Sequence, residues 1–121
     1  MRIEAVGPPV LLAASAVQTL GLALHELATN ASKYGALSAP GGMVVLSWSF
    51  DDESGSPASF RMEWLEKGGP PVKPSTRKGF GSFVTDQMVT RAFNGTVETE
   101  LAPEGLRWAL RMPASEARAS A

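Results

Sequence analysis

Val44-Val45-Leu46-Ser47-Trp48-Ser49-Phe50, followed after a polar stretch by Phe60-Arg61-Met62-Glu63-Trp64-Leu65-Glu66, is the part of this 121-residue sequence that decides its fold. In the first run Val44, Leu46, Trp48 and Phe50 alternate with Val45, Ser47 and Ser49. In the second, Phe60, Met62, Trp64 and Glu66 share one side, and Arg61, Glu63 and Leu65 the other. Successive strand side chains point to opposite faces, so both runs read as strands with one apolar face. Asp51 to Pro57 between them is polar and reads as a hairpin loop. An antiparallel hairpin of this kind has to have its apolar face covered by other parts of the chain.

The cover is expected on either side. Upstream, about Ser15 to Leu37 is free of proline, and Leu20, Leu24, Leu27, Ala31 and Tyr34 recur at helical spacing, which predicts the main helix. Arg2 to Val6 reads as a short strand closed by Gly7-Pro8-Pro9, and Val10 to Leu12 as a second short strand. Downstream, Lys67 to Gly81 mixes Gly68, Gly69, Gly79 and Gly81 with Pro70, Pro71 and Pro74 among basic residues, and reads as a mobile functional loop. A helix is predicted from near Ser82, with Phe83, Val84, Met88, Val89 and Ala92 on its apolar face. Asn94-Gly95 leads into a strand over Thr96 to Leu101. Pro103-Glu104-Gly105 then turns the chain into a last strand, where Leu106, Trp108, Leu110 and Met112 alternate with Arg107 and Arg111. Residues 1–113 thus form one domain and 114–121 a frayed tail. The class is α+β: a two-layer α/β sandwich whose mostly antiparallel, mixed sheet is covered on one face by helices.

Composition narrows the function. A formal net charge of −1 leaves no basic excess for binding a nucleic-acid backbone. The absence of cysteine excludes disulfides and thiolate metal sites. The apolar stretch from Val10 to Ala28 is broken by Ser15, Gln18, Thr19, His25 and Glu26, too polar for a bilayer, so membrane contact is not expected and a cytoplasmic location is.

Three segments could carry chemistry. Helical residues advance by about 100°, so Glu26, Asn30 and Lys33 fall within one stripe of about 60°. That stripe reads either as a solvated helix edge or as the lip of a cleft. In a cleft, Asn30 could give Mg²⁺ a neutral oxygen, Lys33 could meet phosphate and Glu26 could act as a base, which are the needs of phosphoryl transfer from ATP. Glu66 lies on the apolar side of its strand, followed by Gly68-Gly69; the strand either ends in solvent there or offers an acceptor for an amine such as adenine N6. Arg77-Lys78-Gly79-Phe80-Gly81-Ser82 stands at the mouth of a predicted helix, where free N–H groups favour phosphate; an ordinary flexible connection has the same composition. His25, the single histidine, reads as a residue that orients its neighbours rather than as a phosphoacceptor. Trp48, Trp64 and Trp108 read as core.

Taken together, these segments resemble the nucleotide-binding domain of the gyrase/Hsp90/histidine-kinase/MutL superfamily, and within it the HWE family of sensor histidine kinases. His25-Glu26-Leu27-Ala28-Thr29-Asn30-Ala31-Ser32-Lys33-Tyr34-Gly35-Ala36-Leu37 is similar to that family's N box, and Trp64-Leu65-Glu66-Lys67-Gly68-Gly69-Pro70-Pro71-Val72 to its variant G1 box. Arg77 with Gly79-Phe80-Gly81 resembles the G2 region at the end of a short ATP lid. The likeness runs from about Arg2 to Pro113. It implies a Bergerat-type ATP-binding fold with ATP and Mg²⁺ as cofactors. Asn30 would ligate Mg²⁺, Glu26 would polarise the acceptor, Lys33 would contact phosphate and Glu66 would read adenine. Gly68, Gly69, Arg77, Gly79, Phe80, Gly81 and Ser82 would form the lid and phosphate cradle. The implied partners are the phosphoacceptor and dimerisation domain of a parent kinase, whose helices and histidine do not occur here, and a response regulator. A nucleotide-free phosphotransfer adaptor and an anti-sigma-type serine kinase share the fold and stand as alternatives.

Overall fold

The computed structural model describes residues 3–51, 59–70 and 80–117, with 80–85 as helix only. In chain order the elements are β1 (Ile3–Val6), α1 (Ala14–Lys33), a 3₁₀ turn (Ala36–Ser38), β2 (Met43–Asp51), β3 (Ser59–Lys67), α2 (Phe80–Phe93), β4 (Thr96–Ala102), β5 (Gly105–Pro113) and α3 (Ala114–Ala117). The strands form one sheet in the order β1-β2-β3-β5-β4, parallel only between β1 and β2. This is the expected two-layer sandwich, and the expected hairpin is its centre, with Val44 opposite Glu66 and Leu46 opposite Trp64.

Period-two patterning separates the faces. Phe60, Met62 and Trp64 of β3 and Leu106, Trp108, Leu110 and Met112 of β5 are buried under the helices. α1 covers them with Ala16, Leu20, Ala23, Leu27 and Ala31, and α2 with Val89 and Phe93. The other face carries Arg107, paired with Glu63 at 3.0 Å and Glu100 at 3.5 Å, and Asp51, paired with Arg111 at 2.7 Å. These half-exposed pairs keep that face wet and add little stability.

Several expectations need correction. α1 stops at Lys33 instead of reaching Leu37, because Gly35, with φ −114° and ψ −149°, leaves the helical region and starts the 3₁₀ turn. Tyr34, the C-cap, is exposed and does not join the apolar face. Val10 to Leu12 forms no strand beyond a single bridge at Leu12. α2 begins at Phe80 rather than near Ser82, and residues 71–79 of the predicted loop lie outside the described residues; on the far turn of α2 Phe93 is buried and Ala92 exposed. Phe83 and Val84 lie outside the described side chains. Trp48 is only half-buried: its indole N–H donates to the Pro8 carbonyl at 2.8 Å, tying the β1–α1 connection to the sheet. The reading of 114–121 as a frayed tail fails for its first four residues. Ala114 and Ala117 are buried, and the Ala13 N–H, at an α1 N-terminus with no side-chain cap, donates to the Ala117 carbonyl at 2.9 Å.

Leu20 is 2% exposed at the α1–sheet contact. Leu20→Ala should lower unfolding free energy by about 2–5 kcal/mol, as transfer and cavity terms add, read as a lower urea midpoint at unchanged slope.

Candidate functional site

β3 places Glu66 on the same side as Phe60, Met62 and Trp64, and the carboxylate is 1% exposed, the one buried charged side chain among the described residues. A carboxylate in that position is costly unless donors surround it. One oxygen, Oε1, accepts the Ala36 N–H at 3.1 Å; the other, Oε2, accepts the Trp64 indole N–H at 3.0 Å. The first donor comes from the break at Gly35, after which Ala36 opens the 3₁₀ turn and directs its N–H at the carboxylate. The second comes from two residues back on the same face of the strand. The Trp-x-Glu spacing is thus a built hydrogen bond, and the end of the α1 segment is pinned to the end of β3 through it.

Two glycines that follow serve the same junction. Gly68 adopts φ +72°, the left-handed region, and a side chain there would meet the Gly41 carbonyl oxygen at 2.6 Å. A Cβ on Gly69 would lie 2.5 Å from the Ala36 Cα. The backbone after Glu66 therefore runs against the backbone around Ala36, and only glycine fits.

Glu26, Asn30 and Lys33 all fall inside α1, so the predicted stripe exists. Glu26 and Asn30 are half-buried and Lys33 is exposed, which puts the stripe at the border of the buried face, where Ala23, Leu27 and Ala31 pack. The stripe leads directly into the junction: the Asn30 carbonyl accepts the Tyr34 N–H at 2.8 Å, and Ala36 is two residues beyond. His25 is exposed, and its carbonyl accepts the Thr29 hydroxyl at 2.8 Å. Arg77 and Gly79 lie outside the described residues. Phe80, Gly81 and Ser82 form the first turn of α2, and their side chains lie outside the described ones. A cavity of about 270 Å³ opens among Val6, Trp48, Arg61 and Glu63, and no expected site residue lines it.

Sequence reasoning missed two participants. One is the backbone N–H of Ala36. The other is Asp86 of α2, whose carboxylate accepts the Trp108 indole N–H at 3.0 Å. Asp86, Val89 and Phe93 follow i, i+3, i+7 spacing, and a carboxylate on that stripe, facing a strand that carries a tryptophan, was the available signal.

Comparison with known proteins bears on this arrangement. No family model matches the chain. It is 40% identical over 105 residues to a blue-light-activated histidine kinase of Brucella anthropi, and 40% identical over 115 residues to blue-light-activated histidine kinase 1 of Erythrobacter litoralis. The matches cover 87% and 93% of this chain but only 21% and 30% of those relatives. Among solved structures, the histidine kinase domain of an Erythrobacter litoralis blue-light-activated histidine kinase superposes with a TM-score of 0.68 at 18% identity, over 95% of this chain and 52% of that one. The catalytic domain of the histidine kinase ThkA gives 0.61 at 15% identity, over 93% and 80%.

Glu66→Leu should destabilise the chain by roughly 3 kcal/mol in the absence of any nucleotide, because it strands two buried N–H donors. Trp64→Phe, which removes one donor, should cost about 1–2 kcal/mol. Urea titration of both variants without ligand reads these values, and a neutral Glu66→Leu would show that the pairing does not hold the junction.

Proposed function

The chain is a relative of the blue-light-activated histidine kinases with the fold of histidine-kinase catalytic domains, and from that premise we propose that it binds Mg-ATP and transfers the γ-phosphoryl group to a histidine on a separate dimerisation domain, the group then passing to a response-regulator aspartate. The observation that carries this reading is Glu66, a buried carboxylate kept at the seam between α1 and β3 by two N–H groups. A carboxylate only accepts and the exocyclic amine of adenine only donates, so Glu66 would read adenine when the seam that covers it admits a base, and would disfavour a purine with oxygen there.

The residues of α1 suit the rest of the nucleotide. Mg²⁺ is commonly held by one or two protein groups plus substrate phosphates. Half-buried Asn30 is one such group, and no cluster of three or more His, Cys, Asp or Glu stands among the described residues. Asn30 would hold the metal and Lys33 would meet a phosphate oxygen. Bound Mg-ATP supplies the electrophilic phosphorus and a shielded leaving group. Glu26 would take the proton from the attacking histidine nitrogen as the N–P bond forms and the bond to the departing ADP breaks. Gly68, Gly69, Arg77, Gly79, Phe80, Gly81 and Ser82 would form the lid and phosphate cradle ahead of α2 and in its first turn. His25, exposed and next to half-buried Glu26 in sequence, would not be the acceptor.

Calorimetric titration with Mg-ADP should give saturable heat for the wild-type chain and little for Asn30→Ala, a loss of about tenfold or more in affinity. Radiolabelled ATP should mark a histidine-bearing dimerisation domain added in trans and leave this chain unlabelled. Label at His25 would overturn the acceptor assignment, and the absence of both heat and chemical-shift change at millimolar Mg-ADP would leave a nucleotide-free adaptor.

A further inference from the structure

Helix α2 starts at Phe80, inside the segment proposed to cradle phosphate, and is fastened to the sheet by Asp86. The Asp86 Oδ1 accepts the Trp108 indole N–H at 3.0 Å, and Oδ2 accepts the Thr99 hydroxyl at 3.5 Å. Trp108 of β5 is 1% exposed, and Thr99 of β4 stands directly opposite it in the sheet register. One carboxylate thus straddles two neighbouring strands. Among the described side chains of α2, the fully buried ones are Val89 and Phe93, both apolar. The force that buries those two side chains is non-directional, and their interdigitation locates the C-terminal half of the helix. The hydrogen-bonded carboxylate adds a directional constraint nearer the N-terminal turn.

Ser82 precedes Asp86 by four residues, about 6 Å along the axis at 1.5 Å per residue. The free N–H groups of the first turn point along the helix and favour anions only where they face. A slip of α2 by one residue would turn them by about 100° and move them by about 1.5 Å, enough to break contact with a phosphate oxygen. We propose that Asp86 is a positioning residue for the nucleotide site, registering α2 against β4 and β5 so that the first-turn N–H groups meet the phosphate tail. The role rests on the Mg-ATP reading above. Asp86 touches no reacting atom; it acts through the helix that carries the cradle.

The role separates the phosphate tail from the base. Binding of ADP and of AMP to the full chain, followed by NMR titration, should show that Asp86→Ala weakens ADP about tenfold and AMP less than about twofold, so that the preference for ADP collapses. Asp86→Asn keeps an oxygen for the Trp108 N–H and should restore most of it. Trp108→Phe keeps an aromatic ring in the core while removing the donor. It should reproduce the ADP-specific loss, and serves as the second variant if Asp86→Ala does not fold. A purely structural role would lower the urea midpoint and leave the ADP-to-AMP ratio untouched. An unchanged ratio in a folded Asp86→Ala or Trp108→Phe chain, or equal losses for both nucleotides, overturns the proposal while the wild-type binding stands. A wild-type chain that binds neither nucleotide removes the Mg-ATP reading, and this one with it.

Discussion

A negative charge buried in an apolar layer constrains everything near it, and in this fold that charge is Glu66. The side chain is on the covered face of the sheet, where water cannot serve it, so protein donors must be supplied. One comes from its own strand and the other from a helix that has been made to stop. The break at Gly35, the 3₁₀ turn and the bare backbone at Gly68 and Gly69 then cease to be separate irregularities. Each is a condition for bringing the Ala36 N–H within reach of Oε1.

The same chemistry recurs one strand over. Trp64 and Trp108 are cross-strand neighbours, and each gives its indole N–H to a carboxylate: Trp64 to Glu66 at the α1 seam, Trp108 to Asp86 on α2. A buried tryptophan brings both a large apolar body and a polar tip that needs a partner. Here the bodies fill the core; the Trp108 tip ties α2 to the sheet, and the Trp64 tip holds the carboxylate that takes the Ala36 N–H after α1. Sheet and helices are held by hydrophobic area in bulk and by these two directional bonds in detail. The opposite face, with Arg107 among Glu63, Glu98 and Glu100, has no such constraint and stays ionic and half-exposed.

What could be read from the sequence follows from which signals are periodic. Strands with a strict two-residue alternation, such as β2, β3 and β5, carry their own faces in the sequence, and the sandwich, its hairpins and the inward placement of Glu66 were legible from them. The stripe of Glu26, Asn30 and Lys33 was legible for the same reason on a helical period. The end of α1 was not, because Gly35 is tolerated inside a helical pattern and its effect depends on a carboxylate that is distant in sequence. Trp48 looked like Trp64 and Trp108 by alternation alone, yet its strand borders the short edge strand β1, where less of the helical layer covers it. Asp86 was passed over because a charged residue on a helix is ordinarily a solvent-facing one. The partners Glu66 would find, Ala36 above all, are long-range contacts that no local pattern encodes. Arg77 and Gly79 of the predicted phosphate cradle lie outside the described residues.

The bond between the Ala13 N–H and the Ala117 carbonyl makes two parts of the fold that are distant in sequence depend on each other. The N-terminus of α1 has neither a side-chain cap nor an acidic residue in its first turn. Its starting point is secured instead from α3. Without that contact the first turn of α1 would fray, so the helix that carries Glu26, Asn30 and Lys33 is closed at its beginning by a bond that no local pattern encodes. Loss of α3 would act at a distance, loosening the far end of the helix on which the nucleotide chemistry is proposed to depend.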